Sequence, residues 1–331
     1  MAASVNQTGV DVPSSLRPLY YDMDGFRLSA AFNIDRFRSA VNYKPVKEDI
    51  FIATYPKCGT TWLQEICYLI LNDGQEPPSL AQWMTDMPFL ELLGGDFVKH
   101  MRRPGAIKTH LPFNLVPYSP HAKYIYVVRN PKDCLISFYW HTTKVYPGYN
   151  FTDGTFDEFF ELFIAGKTDF GSYFDHVRSF LRQRHQPNLH IIFFEDVKTN
   201  GPEEILKLGR FLGKPYEEKL KAGLLEKVIE QSSVKKMRET FKEFKIDYDI
   251  DELPEGMRQF AMCNATAVSV FEIKDHIRKG SVNDWKNYLT ADQNRRLEAL
   301  MLSTLAEEFP ELISQWRKHG VFDALPIKSP P

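Results

Sequence analysis

The sequence predicts an α/β fold: a single domain with a central parallel β-sheet flanked by helices. Three observations carry this reading. Four short β-rich runs are largely apolar, the pattern of strands buried on both faces. Each run is followed by a helical or loop-like stretch. No linker separates two such patterns, so residues 1–331 are read as one domain with loose ends at 1–15 and 325–331.

The first run, Ile50-Phe51-Ile52-Ala53-Thr54, leads through YPKCGTT into a helix. Its Trp62, Ile66, Leu69 and Ile70 recur at i, i+4, i+7 and i+8, which makes one apolar face. The second run, Ala106 to Thr109, stops at His110 and the breaker LPFNLVP. The third, Tyr124 to Val128, closes on Arg129-Asn130-Pro131, and Pro131 suits the first turn of a helix. The fourth, His190 to Phe194, ends in Glu195-Asp196. Gly201-Pro202 then opens a helix with Ile205, Leu208 and Leu212 on one side. In open parallel sheets ligands bind beyond the carboxyl ends of the strands. Lys57, Lys108 with His110, Arg129 and Asp196 stand at those ends.

Composition narrows the function classes. The chain has 41 Lys+Arg against 43 Asp+Glu, a formal net charge of −2. That balance argues against a nucleic-acid coat, which needs a basic excess to displace counterions. It leaves room for one basic pocket around one small polyanion. The start, MAASVNQTGVDVPSS, has no basic or apolar signal region. No stretch reaches the roughly 18 apolar residues of a membrane helix. The four cysteines Cys58, Cys67, Cys134 and Cys263 show neither a disulfide framework nor metal-site spacing. A cytoplasmic, reduced protein without membrane or nucleic-acid partners is expected.

The segment Tyr55 to Trp62, YPKCGTTW, has the physics of an anion cradle between strand and helix. Gly59 permits a tight turn, the N–H groups of residues 58 to 61 point into the concavity, and the helix N-terminus adds positive potential. Lys57 and the hydroxyls of Thr60 and Thr61 complete it. The loop does not match the Walker A pattern.

YPKCGTTW resembles the 5′-phosphosulfate loop of the cytosolic sulfotransferases, usually written YPKSGTTW. KTHLP at 108–112 resembles that family's catalytic Lys-x-His segment. Tyr126 to Asp133, YVVRNPKD, with Ser137 resembles its 3′-phosphate motif, and RKGSVNDWKN at 278–287 resembles its C-terminal RKGxxGDWKN signature. The blocks run in the family's order and span most of the chain. The resemblance implies a P-loop-nucleotide-kinase-like sulfotransferase fold. It also implies 3′-phosphoadenosine 5′-phosphosulfate (PAPS) as donor, with the desulfated nucleotide PAP as product.

The same resemblance implies the roles. Lys57, Cys58, Gly59, Thr60 and Thr61 would hold the 5′-phosphate, and Trp62 would stack on adenine. Arg129, Ser137, Arg278, Lys279 and Gly280 would hold the 3′-phosphate. Ser232 matches a nucleotide-contacting Thr, and Phe194 and Val234 match neighbours of the nucleoside. His110 would be the general base, Lys57 and Lys108 would stabilise developing charge, and Ser137 would tether Lys57 until an acceptor arrives. No metal is expected, because Lys, Arg and amides meet both nucleotide charges.

Five departures stand out: Cys58 for Ser, Phe194 for Tyr, His276 for an aromatic, Asn283 for Gly in GDW, and an altered dimer signature. In that signature, KxxxTVxxxE, this chain reads Lys286, Thr290, Ala291 and Arg295, one position being a charge reversal. A monomer or weak homodimer is therefore expected. Segments 83–101, 145–149 and 238–262 are expected to wall a pocket for a small aromatic acceptor. The competing reading is a P-loop nucleotide phosphotransferase, with Asp196 as a Walker B-like acid holding Mg²⁺.

Overall fold

A computed structural model of the chain describes residues 17–145, 147–243 and 279–322. Strands β1 (Tyr20–Met23) and β2 (Phe26–Ser29) form an antiparallel hairpin. Strands β3 (Ile50–Thr54), β4 (Ala106–Thr109), β5 (Lys123–Val128) and β6 (Leu189–Phe193) form a parallel sheet in the order β4-β3-β5-β6. Residues 52, 108 and 125 lie side by side in register, so the strands end along one edge. From the centre strand β3 the chain passes to opposite sides, the arrangement that opens a crevice at the carboxyl ends.

Alternate residues of β3 show why the sheet is covered twice. Phe51 and Ala53 pack with Tyr126, Phe138, Phe159 and Tyr173 on one face. Ile50 and Ile52 pack with Ile66, Leu69, Ile205 and Leu208 on the other. The expected apolar face of the Gly201–Leu212 helix is the one that is buried, whereas the Thr60–Leu71 helix is buried on most sides, with Trp62 of its expected face only half-buried. Pro131 starts the Pro131–Trp140 helix as anticipated, and the Asn130 side chain caps it by accepting the Asp133 N–H at 2.8 Å.

Two local differences from the sequence reading have clear causes. The fourth strand stops at Phe193, and Phe194 instead begins the Phe194–Thr199 helix. The last sheet pair is Val128 with Phe193, beyond which β5 has ended and offers no ladder. The β1–β2 hairpin was not anticipated. Its turn holds Asp24 at φ 54° and Gly25 at φ 83°, the Asp-Gly combination that tolerates two left-handed residues.

Asn283 also settles one departure. It takes the left-handed conformation (φ 64°) that glycine would otherwise supply, as asparagine can. Its N–H donates to Asp133 Oδ2 at 2.7 Å, and its side chain spans to the His319 carbonyl at 2.8 Å. His276 and Arg278 lie outside the described residues. Arg295, at the altered dimer position, is exposed and pairs with Asp292. Among the described residues no helix is long and apolar enough to cross a membrane.

Candidate active site

A cavity of about 270 Å³ opens at the carboxyl edge of the sheet. Of the residues singled out in the sequence, Lys57, Gly59, Thr60, Thr61, Trp62, Lys108, His110, Arg129, Ser137, Phe194, Val234, Lys279 and Gly280 line it. Cys58 and Ser232 are buried but do not line it. Cys58 turns away, its sulfur 3.8 Å from that of Cys134, which explains why its side chain is free to differ from serine. Ser232 ends the Leu225–Gln231 helix, and the neighbouring Val234 reaches the cavity instead.

The anion loop is shaped by two left-handed residues, Lys57 (φ 68°) and Gly59 (φ 102°), flanking Cys58. The Cys58 N–H is used inside the loop, donating to the Tyr55 carbonyl at 3.3 Å, so the open amides begin at Gly59. A methyl group on Gly59 would sit 2.7 Å from the Phe194 ring, and one on Gly280 would sit 2.7 Å from Val234. The two glycines therefore fix where Phe194 and Val234 stand. Trp62 meets Phe194 edge-on at 5.4 Å, and the Lys198 ammonium lies 5.0 Å from the Trp62 ring centre.

Arg129 bridges two parts of the cavity wall. Its Nη1 donates to the Lys57 carbonyl at 3.0 Å and its Nη2 to the Ser281 carbonyl at 3.2 Å, with the guanidinium over the Phe194 ring at 4.4 Å. Arg129 Nε and Trp62 Nε1 are buried donors with no hydrogen-bond partner among the described residues. Orphaned donors of this kind, beside Lys57, Lys198 and Lys279, fit a nucleotide rich in acceptor oxygens.

His110 sits at the end of β4 and is buried. Its Nδ1 lies 2.8 Å from the Thr54 carbonyl oxygen, which only accepts, so Nδ1 carries the proton and Nε2 holds the lone pair. Thr54 Oγ1 is 3.1 Å from the same Nδ1 and 2.6 Å from Thr60 Oγ1, which joins the histidine to the anion loop. Phe89 and Phe170 pack edge-on against the imidazole, each at 5.2 Å. Burial holds His110 well below its ordinary pKa, and the charge of Lys108 adds to the effect. Burial also draws Lys108 down to about 8, opposed by Glu91.

Several residues of the site escaped the sequence reading. Glu91 is fully buried, is pushed up to about 7 by burial, and accepts the His110 N–H at 2.5 Å and the Thr109 hydroxyl at 3.0 Å. Lys198 lies one helical turn after Phe194, a spacing that could have suggested it. Ser29 and Asp169 line the cavity with Phe32, Trp83, Phe89, Leu92 and Leu93. Tyr149 lines it as anticipated, whereas Phe97 does not. Tyr146 and most of segment 238–262 lie outside the described residues. Asp196 is turned elsewhere: its carboxylate lies 2.7 Å from His319 Nε2 and also accepts from Gln315.

The comparisons agree on one description. A family model described as "Sulfotransferase domain" matches residues 47–309. Sulfotransferase 1C2 of Homo sapiens is 32% identical over 294 residues, covering 84% of this chain and 90% of the relative. Sulfotransferase 1B1 of Mus musculus is 34% identical over 278 residues, covering 79% of this chain and 86% of the relative. The crystal structure of mouse sulfotransferase SULT7A1 complexed with PAP superposes with a TM-score of 0.69 at 26% identity, covering 91% of this chain and 99% of that one.

Proposed function

The chain belongs to the sulfotransferase family and is a PAPS-dependent enzyme, and we propose that it sulfates a hydroxyl or amine of a small aromatic acceptor with His110 as general base. The observation that carries this reading is the tautomer of His110, whose Nδ1–H is committed to Thr54, so that Nε2 can take a proton.

The donor, when bound, supplies the sulfuryl group. Lys57, Gly59, Thr60 and Thr61 hold its 5′-phosphate in this proposal, Trp62 its adenine, and Arg129, Ser137, Lys279 and Gly280 its 3′-phosphate, together with Arg278. Lys57 and Lys108 place positive charge where negative charge builds during transfer, and His110 receives the acceptor's proton at Nε2. The rings of Phe32, Phe89, Phe138 and Phe170 give the acceptor side an apolar, aromatic wall suited to a phenol, an aryl-ethylamine or a steroid.

The test is sulfate transfer from labelled PAPS to a panel of phenols with a chelator present. A Mg²⁺-dependent ATP reaction would favour the phosphotransferase, which the engagement of Asp196 by His319 disfavours. Binding of PAP without turnover of any acceptor would sink the proposal.

Two further expectations arise here. Gly59→Ala should lose PAP affinity and about 1–3 kcal/mol of stability, because φ 102° and the nearby Phe194 ring both exclude a side chain. Calorimetry and thermal melting check this, and a variant that binds and melts like the wild type would overturn it. For assembly, the exposed Arg295 in place of an acid points to a monomer or weak homodimer. Sedimentation that shows a tight dimer, broken by changes at Lys286 and Thr290, contradicts it.

A further inference from the structure

Buried carboxylates in this protein fall into two groups, those with a cation at hand and those without. Asp49 pairs with Arg103, Asp86 with Arg102 and Asp284 with Lys279. Glu65, Glu91, Asp133, Glu195 and Asp169 form no ion pair among the described residues, and of these Asp169 alone lines the cavity. It is 1% exposed. Its neighbours are neutral donors: the Tyr149 hydroxyl at 2.6 Å and the Ser29 N–H at 3.0 Å. A buried carboxylate needs a counter-charge or a full set of donors to be retained as an anion. Here burial pushes it up to about 7 in spite of those donors.

A second observation points the same way. The Ser29 hydroxyl, 1% exposed and on the same cavity wall, makes no hydrogen bond of good geometry and gives Asp169 only a supporting interaction. A poorly engaged hydroxyl beside a carboxylate without a cation is a recess with acceptor capacity to spare. Its placement gives it meaning. The residue after Asp169 is Phe170, whose ring lies 5.2 Å from that of His110, so the recess opens within a short molecule's reach of the base. Every other charged residue that lines the cavity, leaving aside the histidines His110 and His141, is a Lys or Arg.

We propose that Asp169, with Ser29, is the acceptor-recognition site for an ammonium group, so that the preferred acceptor is a phenolic aryl-alkylamine held by its amine while its hydroxyl faces His110. This rests on the acceptor reading given above and narrows it to one class. Lys57 and Lys108 repel the ammonium from the donor end and Asp169 attracts it to the other, which orients the molecule before reaction. Phe170 supports that placement. It holds a left-handed backbone (φ 62°), uncommon for so bulky a residue, between the acid and the imidazole.

The experiment compares tyramine with 4-ethylphenol, which keeps the phenol, ring and two-carbon chain but lacks the amine. Wild-type kcat/KM should favour tyramine by roughly 10- to 150-fold, the worth of one charge-assisted hydrogen bond. Asp169→Asn should remove most of that preference and change 4-ethylphenol little. Calorimetry with PAP shows whether each variant is folded. Should Asp169→Asn fail that check, Ser29→Ala decides: it keeps the backbone N–H to Asp169 and should still lower turnover of tyramine selectively. Equal wild-type rates for the two compounds, or equal losses for both in the folded variant, overturn the assignment. If PAP binds but neither compound is sulfated, the small-aromatic acceptor reading fails and this inference fails with it.

Discussion

His110→Ala is expected to lose roughly 10²–10⁴-fold in sulfuryl transfer to a neutral phenol while still binding PAP by calorimetry. The imidazole is poised for one task. Its Nδ1–H is held by the Thr54 carbonyl, and burial with the nearby Lys108 charge keeps the ring neutral far below its ordinary pKa. Nε2 is therefore a base at any assay pH near neutrality. Acceptors already ionised at assay pH have no proton to lose and should suffer much less. The comparison across acceptors of different pKa is the informative readout, since a purely structural histidine would affect all of them alike. Near-normal turnover of a high-pKa acceptor would remove His110 from the base role. Loss of PAP affinity would assign it to the Thr54–Thr60 network instead, because Thr60 belongs to the anion loop.

The parallel sheet was legible because buried strands are written in apolar runs, and Ile50–Thr54 and Ala106–Thr109 appear where they were expected. Strand ends were less legible. Phe194 reads as strand by composition, but a ladder needs a partner, and β5 ends at Val128. The hairpin at Asp24-Gly25 carried an explicit turn signal that went unused, and through it Ser29 reaches the cavity. That most of the residues expected to hold the nucleotide would share one cavity was legible, because the motifs that carry them end the strands along one edge of the sheet. The acceptor side was not. Asp169 and Glu91 are single acids in ordinary surroundings, and only their place in the fold singles them out, Asp169 on the cavity wall and Glu91 on the His110 N–H. Side-chain direction also lies beyond motif reading. Cys58 belongs to the anion loop by position, yet its sulfur packs on Cys134, and Ser232 lies next to the cavity wall without forming it.

Arg129→Ala should weaken PAP binding by about 2–5 kcal/mol, the range for leaving one member of a buried charge pair without its partner. That corresponds to roughly 30- to 5,000-fold in affinity. Arg129 is buried, its Nε has no partner among the described residues, and its two outer nitrogens hold the carbonyls of Lys57 and Ser281. It is thus both a charge for a phosphate and a strut between the anion loop and the segment that carries Lys279 and Gly280. The two roles separate by ligand. As the 3′-phosphate contact, Arg129→Ala should cost much more affinity for PAP than for adenosine 5′-phosphate, which lacks that group. As a strut alone, it should weaken both by the same factor. Arg129→Lys adds a finer comparison, because an ammonium keeps the charge but cannot reach two carbonyls and a phosphate together. An intermediate PAP affinity is expected for it. Wild-type protein that binds PAP and adenosine 5′-phosphate equally well would overturn the 3′-phosphate assignment, since the Arg129–Lys279 side of the cavity would then contribute nothing to donor choice.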